Sequence, residues 1–304
     1  MSYTGPGFEP QPPRSPLRRP LVVVPAVLVP VLVAGWFAYG ATGDGGSSGG
    51  GGGTTAAGVT PVSASPSAET AGTADAKPPA KPLTGKVIVI DPGHNPTNYR
   101  HPSEINRKVD IGTDKKECDT TGTSTNSGYA EASFTLDVAH RMRTVLESQG
   151  ATVKLTQDAD RPFGPCIDER ARIGNAAKAD AVVSVHADGS STGNRGFHVI
   201  LPGAVHEGAA DTRPIVGPSK RLGELVANGF RRTTGSAPSN YVGSGTGLVT
   251  RTDLGGLNLS TVPKVFIECG NMRDRQDAAL LTSAAWRQKA AQGISEGIVS
   301  FLHG

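Results

Sequence analysis

The stretch KVIVIDPGH, residues 86–94, decides how the folded part of the chain is organised. Residues 87–90 are all valine or isoleucine, a pattern typical of a strand that is buried on both faces of a sheet. The polar turn that follows ends in a histidine, His94. In an open α/β sheet, ligands bind outside the carboxyl ends of the strands. An ionisable side chain at this position therefore predicts a functional site at the sheet edge.

Strands and helices alternate along the rest of the domain. We predict strands at 86–90, 151–155, 181–185, 196–201 and 265–267, and helices at 129–149, 167–178, 218–232 and 284–302. Apolar residues of the helix 129–149 fall on one face, and Gly150 follows as a C-terminal cap. This alternation predicts an α/β fold with a mostly parallel twisted sheet and helices on both faces.

An uncharged apolar run covers residues 21–39. At about 1.5 Å rise per residue, a helix of this length nearly spans a hydrocarbon core of roughly 30 Å. Arg18 and Arg19 precede the run, which predicts that the Pro-rich tail 1–20 is cytoplasmic. We therefore predict a transmembrane anchor in the cytoplasmic membrane. A long signal peptide cut near residues 38–41 is the alternative.

Residues 41–84 consist mainly of Gly, Ser, Thr, Ala and Pro and contain no aromatic residue. Such a segment cannot bury enough apolar surface to offset the entropy lost on ordering. We interpret it as a disordered linker that leads to a single folded domain at 85–304. With either an anchor or a signal peptide, this domain lies outside the cytoplasm, in the cell envelope or secreted.

The charge balance of the chain is mild. It has 30 Lys and Arg residues against 27 Asp and Glu residues, a formal net charge of +3. Proteins that bind nucleic acid usually present a denser basic face, so we expect no nucleic-acid partner. Cys118 and Cys166 lie in predicted loops, and a disulfide between them would stabilise the domain by roughly 2–4 kcal/mol. Two free thiols are the alternative.

Two further predicted strands end in ionisable side chains, as the first one does. The strand 181–185 leads into His186, and the strand 265–267 leads into Glu268. Zinc binds imidazole nitrogen and carboxylate oxygen, and a catalytic zinc site uses three protein ligands. His94 and His186 supply two ligands. Glu268 is also at the sheet edge, as a carboxylate able to take a proton from the attacking water.

Glu131 is the best candidate for the third zinc ligand. It lies in the first turn of the predicted helix 129–149, where the helix dipole favours a carboxylate. The gaps between the four residues are long and no short motif links them, so the spacing is weak evidence. The alternative is that His94 is a loop residue, His186 a satisfied core histidine and Glu131 a helix-start charge.

Asp91 and Asp188 lie close in sequence to the two histidines. Histidines that bind a metal usually donate their other ring N–H to an acceptor. We therefore expect these carboxylates to support the ligand histidines, with local turn capping as the alternative.

Three segments carry more information than the spacing: VIVIDPGH (87–94), RARIGNAAKADAVVSVHAD (170–188) and DLGGL with VPKVFIECGN (253–271). In this order they resemble the zinc-dependent N-acetylmuramoyl-L-alanine amidases of bacterial cell walls, the amidase-3 group. The resemblance covers about residues 85–304. It implies that His94, Glu131 and His186 bind zinc and that Glu268 is the catalytic carboxylate.

Some positions depart from the usual family pattern. Asn95 and Pro96 follow His94 where glycines are usual, and Cys269 and Asn271 replace more usual residues in the last segment. These departures resemble a mycobacterial or related actinobacterial branch. They leave the details of substrate contact open without affecting the metal ligands.

The resemblance implies hydrolysis of the amide between the lactyl group of N-acetylmuramic acid and L-alanine of peptidoglycan stem peptides, in cell-wall remodelling or cell separation. The residues alone predict only metal-assisted amide hydrolysis. A zinc peptidase acting within the stem peptide is a second interpretation. A non-catalytic wall-binding module is a third, although it would lack a ligand or Glu268. We expect a monomer. The sequence identifies no regulatory partner. It also shows no long helix between His94 and Glu131 that would block the site.

Overall fold

The computed structural model describes residues 81–304. The predicted tail 1–20, the predicted anchor 21–39 and all but the last four residues of the predicted linker 41–84 lie outside the described residues. Within residues 81–304, no helix combines the length and the apolar character that a membrane crossing requires.

The described chain contains ten strands and seven α-helices. The strands are β1 (Val87–Pro92), β2 (Lys108–Asp110), β3 (Lys115–Glu117), β4 (Thr152–Leu155), β5 (Ala181–Asp188), β6 (His198–Pro202), β7 (His206–Glu207), β8 (Ala210–Asp211), β9 (Leu248–Arg251) and β10 (Lys264–Asn271). The helices are α1 (Pro102–Ile105), α2 (Glu131–Ser148), α3 (Ile167–Ala176), α4 (Val216–Thr234), α5 (Gly255–Asn258), α6 (Arg275–Leu281) and α7 (Ala284–His303).

Six strands form the central sheet, in the order β4-β1-β5-β10-β6-β9. Every neighbouring pair is parallel except β10 with β6. Strands β5 and β10 lie at the centre, and all their residues are buried. The predicted α/β fold with a mostly parallel sheet is therefore confirmed.

The direction of β6 and the presence of β9 are additions that the sequence did not predict. Only residues 189–197 connect β5 with β6, and a parallel return would need a crossover of about a dozen residues or more. The chain therefore turns back and β6 runs antiparallel to β10. Strand β9 pairs with β6 at the sheet edge and is only partly buried, so it lacks the apolar run that identifies a central strand.

Helices cover both faces of the sheet, as predicted. Helices α2, α4 and α7 pack on one face in the main core, and α3 and α5 lie in smaller apolar clusters with Val182 and Phe266. Helices α4 and α7 approach each other closely. A Cβ atom at Gly229 would lie 2.3 Å from the carbonyl oxygen of Gly293, so this contact requires glycine.

The boundary between linker and domain lies earlier than residue 85. Leu83 is buried in the main core, and its amide donates to the carbonyl of Gln149 at the end of α2. The end of the predicted linker 41–84 is therefore part of the fold. A single leucine in a low-complexity stretch gives no periodic signal, and only its packing against a distant helix reveals its place.

A disulfide joins Cys118 to Cys166, the pair expected from the sequence. It lies in a small apolar cluster that also contains Val109, Ile111 and Ile167. The bridge ties the segment after β3 to the start of α3. Cys269 is a free cysteine buried in the main core.

Candidate metal centre

The carboxyl ends of three neighbouring strands bring the predicted residues together. His94 follows β1 after one glycine, and His186 and Glu268 lie within β5 and β10 as directly paired residues. Glu131 is the first residue of α2 and reaches the same edge. All four side chains are buried. Sheet topology thus gathers residues that are far apart in sequence.

His94, Glu131 and His186 form one compact group. Each offers one ligand atom, and these three atoms lie within 4.8 Å of one another. His186 Nδ1 is 3.0 Å from Glu131 Oε1, and His94 Nε2 is 3.2 Å from Glu131 Oε2. The two rings are nearly perpendicular, and the ring of His186 also stacks on Phe266. This donor set suits a cation that accepts nitrogen and oxygen ligands.

The orientation of His94 favours a metal ligand. Its Nδ1 lies 3.1 Å from the carbonyl oxygen of Thr120, which can only accept a hydrogen bond, so Nδ1 carries the proton. Its Nε2 faces the carboxylate of Glu131 at 3.2 Å and forms no hydrogen bond with a described residue. A positive charge between these two groups, either a proton on Nε2 or a metal ion, satisfies both of them.

Two glycines allow the ligands to come this close. A Cβ atom at Gly93 would lie 2.3 Å from the ring of His186. At Gly122, which has φ of +73°, a Cβ atom would lie 2.7 Å from His94 and 2.8 Å from Glu131. Any larger residue at either position would fill the space at the ligand group. His94 itself has φ of 63°, an uncommon backbone conformation for a residue other than glycine.

The protonation states of the group follow from burial and from the neighbouring charges. Burial opposes ionisation of Glu131, but His94 and His186 outweigh it and hold the pKa of Glu131 well below its ordinary value. Burial likewise opposes protonation of His94, yet Glu131 and Asp119 raise its pKa to about 9. Burial lowers the pKa of His186 to about 4. The carboxylate is therefore ionised throughout the neutral range.

Glu268 lies beside this group without belonging to it. It is 3% exposed, and its Oε2 has no hydrogen-bond partner among residues 81–304. Burial, together with the carboxylates of Asp188 and Glu131, raises the pKa of Glu268 well above its ordinary value. A carboxyl group with a raised pKa in a cleft suits a proton carrier.

Asp91 has a different environment from the one expected. It contacts neither ligand histidine and instead accepts hydrogen bonds from four buried donors, which are Thr156, Arg170, Ser184 and Lys264. The prediction that Asp91 supports a histidine is wrong. Its carboxylate forms ion pairs with Arg170 and Lys264 instead.

Asp188 also makes no contact with a ligand histidine in the described structure. It accepts a hydrogen bond of 2.6 Å from the hydroxyl of Tyr241 and another from the amide of Gly189. This prediction is wrong as well, because His186 directs its Nδ1 at Glu131. The turn-capping alternative describes the contact with Gly189.

The carboxylate that faces the other ring nitrogen of His94 belongs to Asp119, whose Oδ1 lies 3.5 Å from Nδ1. It comes directly after Cys118, so the disulfide holds it in place. Sequence reasoning missed Asp119, since it is in a long loop without a periodic pattern. Its position after a bridged cysteine is the one signal that would have indicated it.

Arg170 connects these carboxylates to the loop that carries His94. Its guanidinium donates to Asp91, Asp119 and the carbonyl oxygens of Pro92, His94 and Pro165. Burial would lower the pKa of Arg170, but Asp119 and Asp91 raise it, so the side chain stays charged. Arg170 is therefore a positioning residue for the His94 loop.

These features define a class of protein: an α/β protein with a buried His-Glu-His group at the edge of its sheet and a separate carboxylate beside that group. The chain belongs to the amidase-3 family, whose model, described as N-acetylmuramoyl-L-alanine amidase, matches residues 88–300. It is therefore a hydrolase that acts on an amide bond, and the predicted family is confirmed.

Mycobacterial proteins are among its similar relatives. An N-acetylmuramoyl-L-alanine amidase of Mycobacterium tuberculosis is 38% identical over 248 residues, which cover 81% of this chain and 94% of that protein. The crystal structure of the amidase Ami1 from Mycobacterium smegmatis matches with a TM-score of 0.66 and 38% identity, over 72% of this chain and 98% of that one. The apo form of Ami1 from Mycobacterium abscessus matches with a TM-score of 0.66 and 40% identity, over 72% and 100%.

Proposed function

We propose that this protein is a zinc-dependent amidase that cleaves the bond between the lactyl group of N-acetylmuramic acid and L-alanine of peptidoglycan stem peptides. The observation that carries this proposal is the buried group of His94, Glu131 and His186 with Glu268 on the adjacent strand. Family membership supports the substrate class. All four residues that this chemistry requires are present, which argues against a non-catalytic wall-binding module.

His94, Glu131 and His186 would hold the zinc ion. When bound, zinc acts as a Lewis acid that polarises the scissile carbonyl and makes water a better nucleophile at neutral pH. Two neutral imidazoles and one carboxylate leave a net positive charge at the centre. That charge would also oppose the burial that raises the pKa of Glu268.

Glu268 would move the proton. Its unpartnered oxygen can accept a proton from the attacking water and then donate it to the amine of the leaving peptide. The products would be a free lactyl carboxylate on the sugar and a peptide with a free L-alanine amine. Asp119 and Thr120 would keep the Nδ1 proton of His94 in place during this cycle.

We further propose that the enzyme acts in the cell envelope, as a monomer, in cell-wall remodelling or cell separation. Residues 21–39 would anchor it in the cytoplasmic membrane, or would be removed if they act as a signal peptide. The tail 1–20 would then be cytoplasmic, and the linker 41–84 would let the catalytic domain 85–304 reach the wall.

The test is mass spectrometry of a disaccharide muropeptide digested by the purified full-length protein. We expect intact stem peptide with a free L-alanine amine, loss of activity after chelation and recovery with added Zn²⁺. A shortened peptide still attached to the sugar would identify a zinc peptidase instead. Turnover that is insensitive to a chelator would contradict the proposal. So would a lack of turnover in the presence of zinc.

A further inference from the structure

We propose that a neutral groove beside His94 binds the glycan part of the substrate, with Tyr99 as the aromatic platform on which a sugar ring stacks. This inference rests on the proposed function and adds the direction in which the substrate lies. It assigns a role to a side chain that neither the metal group nor the proton transfer uses.

The groove lies beside the segment that packs on the metal group. It has a volume of about 400 Å³ and is lined by residues of the loop after His94, of the segment 121–124 and of the start of α2, including Asn95, Pro96 and Ala130. The same segment contains Gly122, which packs directly against His94 and Glu131. A ligand in this groove would therefore contact the segment that packs against the metal group.

The chemical character of the groove suits a carbohydrate. None of the described residues that line it is charged. Small apolar groups such as Pro96 and Ala132 alternate with the hydroxyl groups of threonine and serine, which can pair with sugar hydroxyls. A glycan chain is likewise uncharged when its lactyl carboxyl groups form amides with the stem peptides.

Tyr99 is unusual in this protein. It is 62% exposed and is the one large hydrophobic side chain that is exposed within residues 81–304. Arg100 holds it in place, since its Nε donates to the Tyr99 hydroxyl at 2.8 Å and its guanidinium lies 5.2 Å from the ring centre. Tyr99 also lines the groove, so a ligand there can reach its ring. The apolar C–H face of a sugar ring can cover such an aromatic ring.

A second, smaller pocket lies on the other side of the site. It has a volume of about 60 Å³, and its lining includes Glu268, Asp188, His198 and Arg251. Sheet order separates the two spaces, because His94 follows β1 while these residues belong to β5, β10, β6 and β9. The charged pocket therefore lies on the β6 and β9 side of the sheet, whereas Asn95, Pro96 and Tyr99 of the groove follow β1 on the other side of β5.

The proton transfer decides which part of the substrate lies on each side. A carboxylic acid that protonates the leaving amine has to lie next to that amine. Glu268 lines the smaller pocket, so the leaving amine lies on that side of the metal group. The acyl side with its sugar then extends in the opposite direction, over Gly122 and into the groove with Tyr99.

The first test compares two substrates with the full-length protein. One is a disaccharide muropeptide, and the other is the corresponding lactoyl peptide without sugar. We expect Tyr99→Ala to raise KM about 3- to 10-fold on the muropeptide, with kcat unchanged and no effect on the lactoyl peptide. Tyr99→Phe keeps the ring and should behave as wild type on both. Because Tyr99 is mostly exposed, the thermal unfolding of both variants should match the wild type.

An unchanged KM in Tyr99→Ala, or an equal change on both substrates, would overturn the groove assignment. Failure of the wild type to cleave either substrate would instead overturn the proposed function.

A second measurement does not depend on hydrolysis. Tyr99→Trp places a fluorophore in the groove, and peptide-free glycan strands should shift its emission relative to wild-type protein treated in the same way. No difference between the two proteins would also overturn the assignment.

Discussion

Two buried polar regions lie side by side at the carboxyl ends of β1 and β5, and they differ in whether all of their polar atoms have hydrogen-bond partners. In the first, Asp91 contacts Arg170 at 2.8 Å and Lys264 at 3.2 Å. Burial opposes the ionisation of Asp91, but Lys264 and Arg170 outweigh it and hold its pKa well below the ordinary value. We refer to these three residues as the ion-pair network.

In the second region, two buried atoms, His94 Nε2 and Glu268 Oε2, have no hydrogen-bond partner in the described part of the chain. An unpaired buried polar group costs about 1–3 kcal/mol, so a folded protein keeps one only where another requirement outweighs this cost. The comparison teaches that buried charge alone does not mark a functional site. A buried polar atom that is left without a hydrogen-bond partner is the better marker.

The largest expected effect is the loss of catalysis in Glu268→Gln. This variant keeps the shape of the side chain but cannot accept a proton, so hydrolysis of a muropeptide should fall by about 10²- to 10⁴-fold. Zinc content and thermal unfolding should stay as in wild type, because Glu268 lies outside the ligand group. Rates from mass spectrometry and metal content from elemental analysis check both expectations.

The matched control for this variant is Glu224→Gln. Glu224 is on the exposed side of α4, 3.9 Å from Lys220, and its removal should leave the rate unchanged. Turnover of Glu268→Gln within a few-fold of wild type would show that the unpaired carboxylate does not transfer the proton.

The ion-pair network predicts a structural effect instead. Arg170→Leu leaves Asp91 and Asp119 without their buried guanidinium, and the free energy of unfolding should fall by about 3–5 kcal/mol. Denaturant unfolding of the zinc-free protein measures this. Arg172→Leu is the control on the same helix, because its side chain is 69% exposed and should contribute less than about 1 kcal/mol. Equal losses in the two variants would remove the distinction between the regions.

The disulfide should stabilise the loop that supports both regions. Replacing Cys118 and Cys166 with alanine should lower the free energy of unfolding by roughly 2–4 kcal/mol, since the bridge closes a loop with a sequence separation of 48. Thiol titration of the unfolded, unreduced protein provides an independent check. It should detect only Cys269, and three thiols would contradict the bridge.

The smallest effect concerns the pH dependence of zinc binding. A ligand histidine has to be neutral, and the pKa of His94 is about 9 while that of His186 is about 4. At pH 7, binding should therefore release one proton, from His94. Below pH 9 the neutral fraction of His94 rises about tenfold per pH unit, so the affinity should be about tenfold higher at pH 8 than at pH 7. Competition with a chelator measures this, and an affinity independent of pH would contradict it.

Much of the site could be predicted because the ends of buried strands can be recognised in the sequence. The run of valine and isoleucine before His94 and the strand before His186 are strong local signals, and parallel strands end at one edge of the sheet. Glu131 was harder to place, since its helix carries it to the edge from outside the sheet. The helix start nevertheless made it the best candidate.

The contacts around the site were less accessible to sequence reasoning. Proximity in sequence suggested Asp91 and Asp188 as supports of the histidines, whereas Asp119 is the carboxylate beside Nδ1 of His94. Closeness in sequence does not fix the contacts of a side chain, since Asp188 shares a strand with His186 and contacts Tyr241 instead. The partner then comes from a distant loop, and only packing places it.

By itself, the sequence determined the α/β architecture, the sheet edge that carries the chemistry and the residue types that meet there, because periodicity and strand ends are local properties. Tertiary structure alone decided that Leu83 belongs to the core, that β6 runs antiparallel, that Arg170 connects Asp91 to the His94 loop, and that Tyr99 is exposed in a groove that Gly122 also lines. Each of these depends on contacts between segments far apart in the chain, whose free energy is set by burial and geometry after folding.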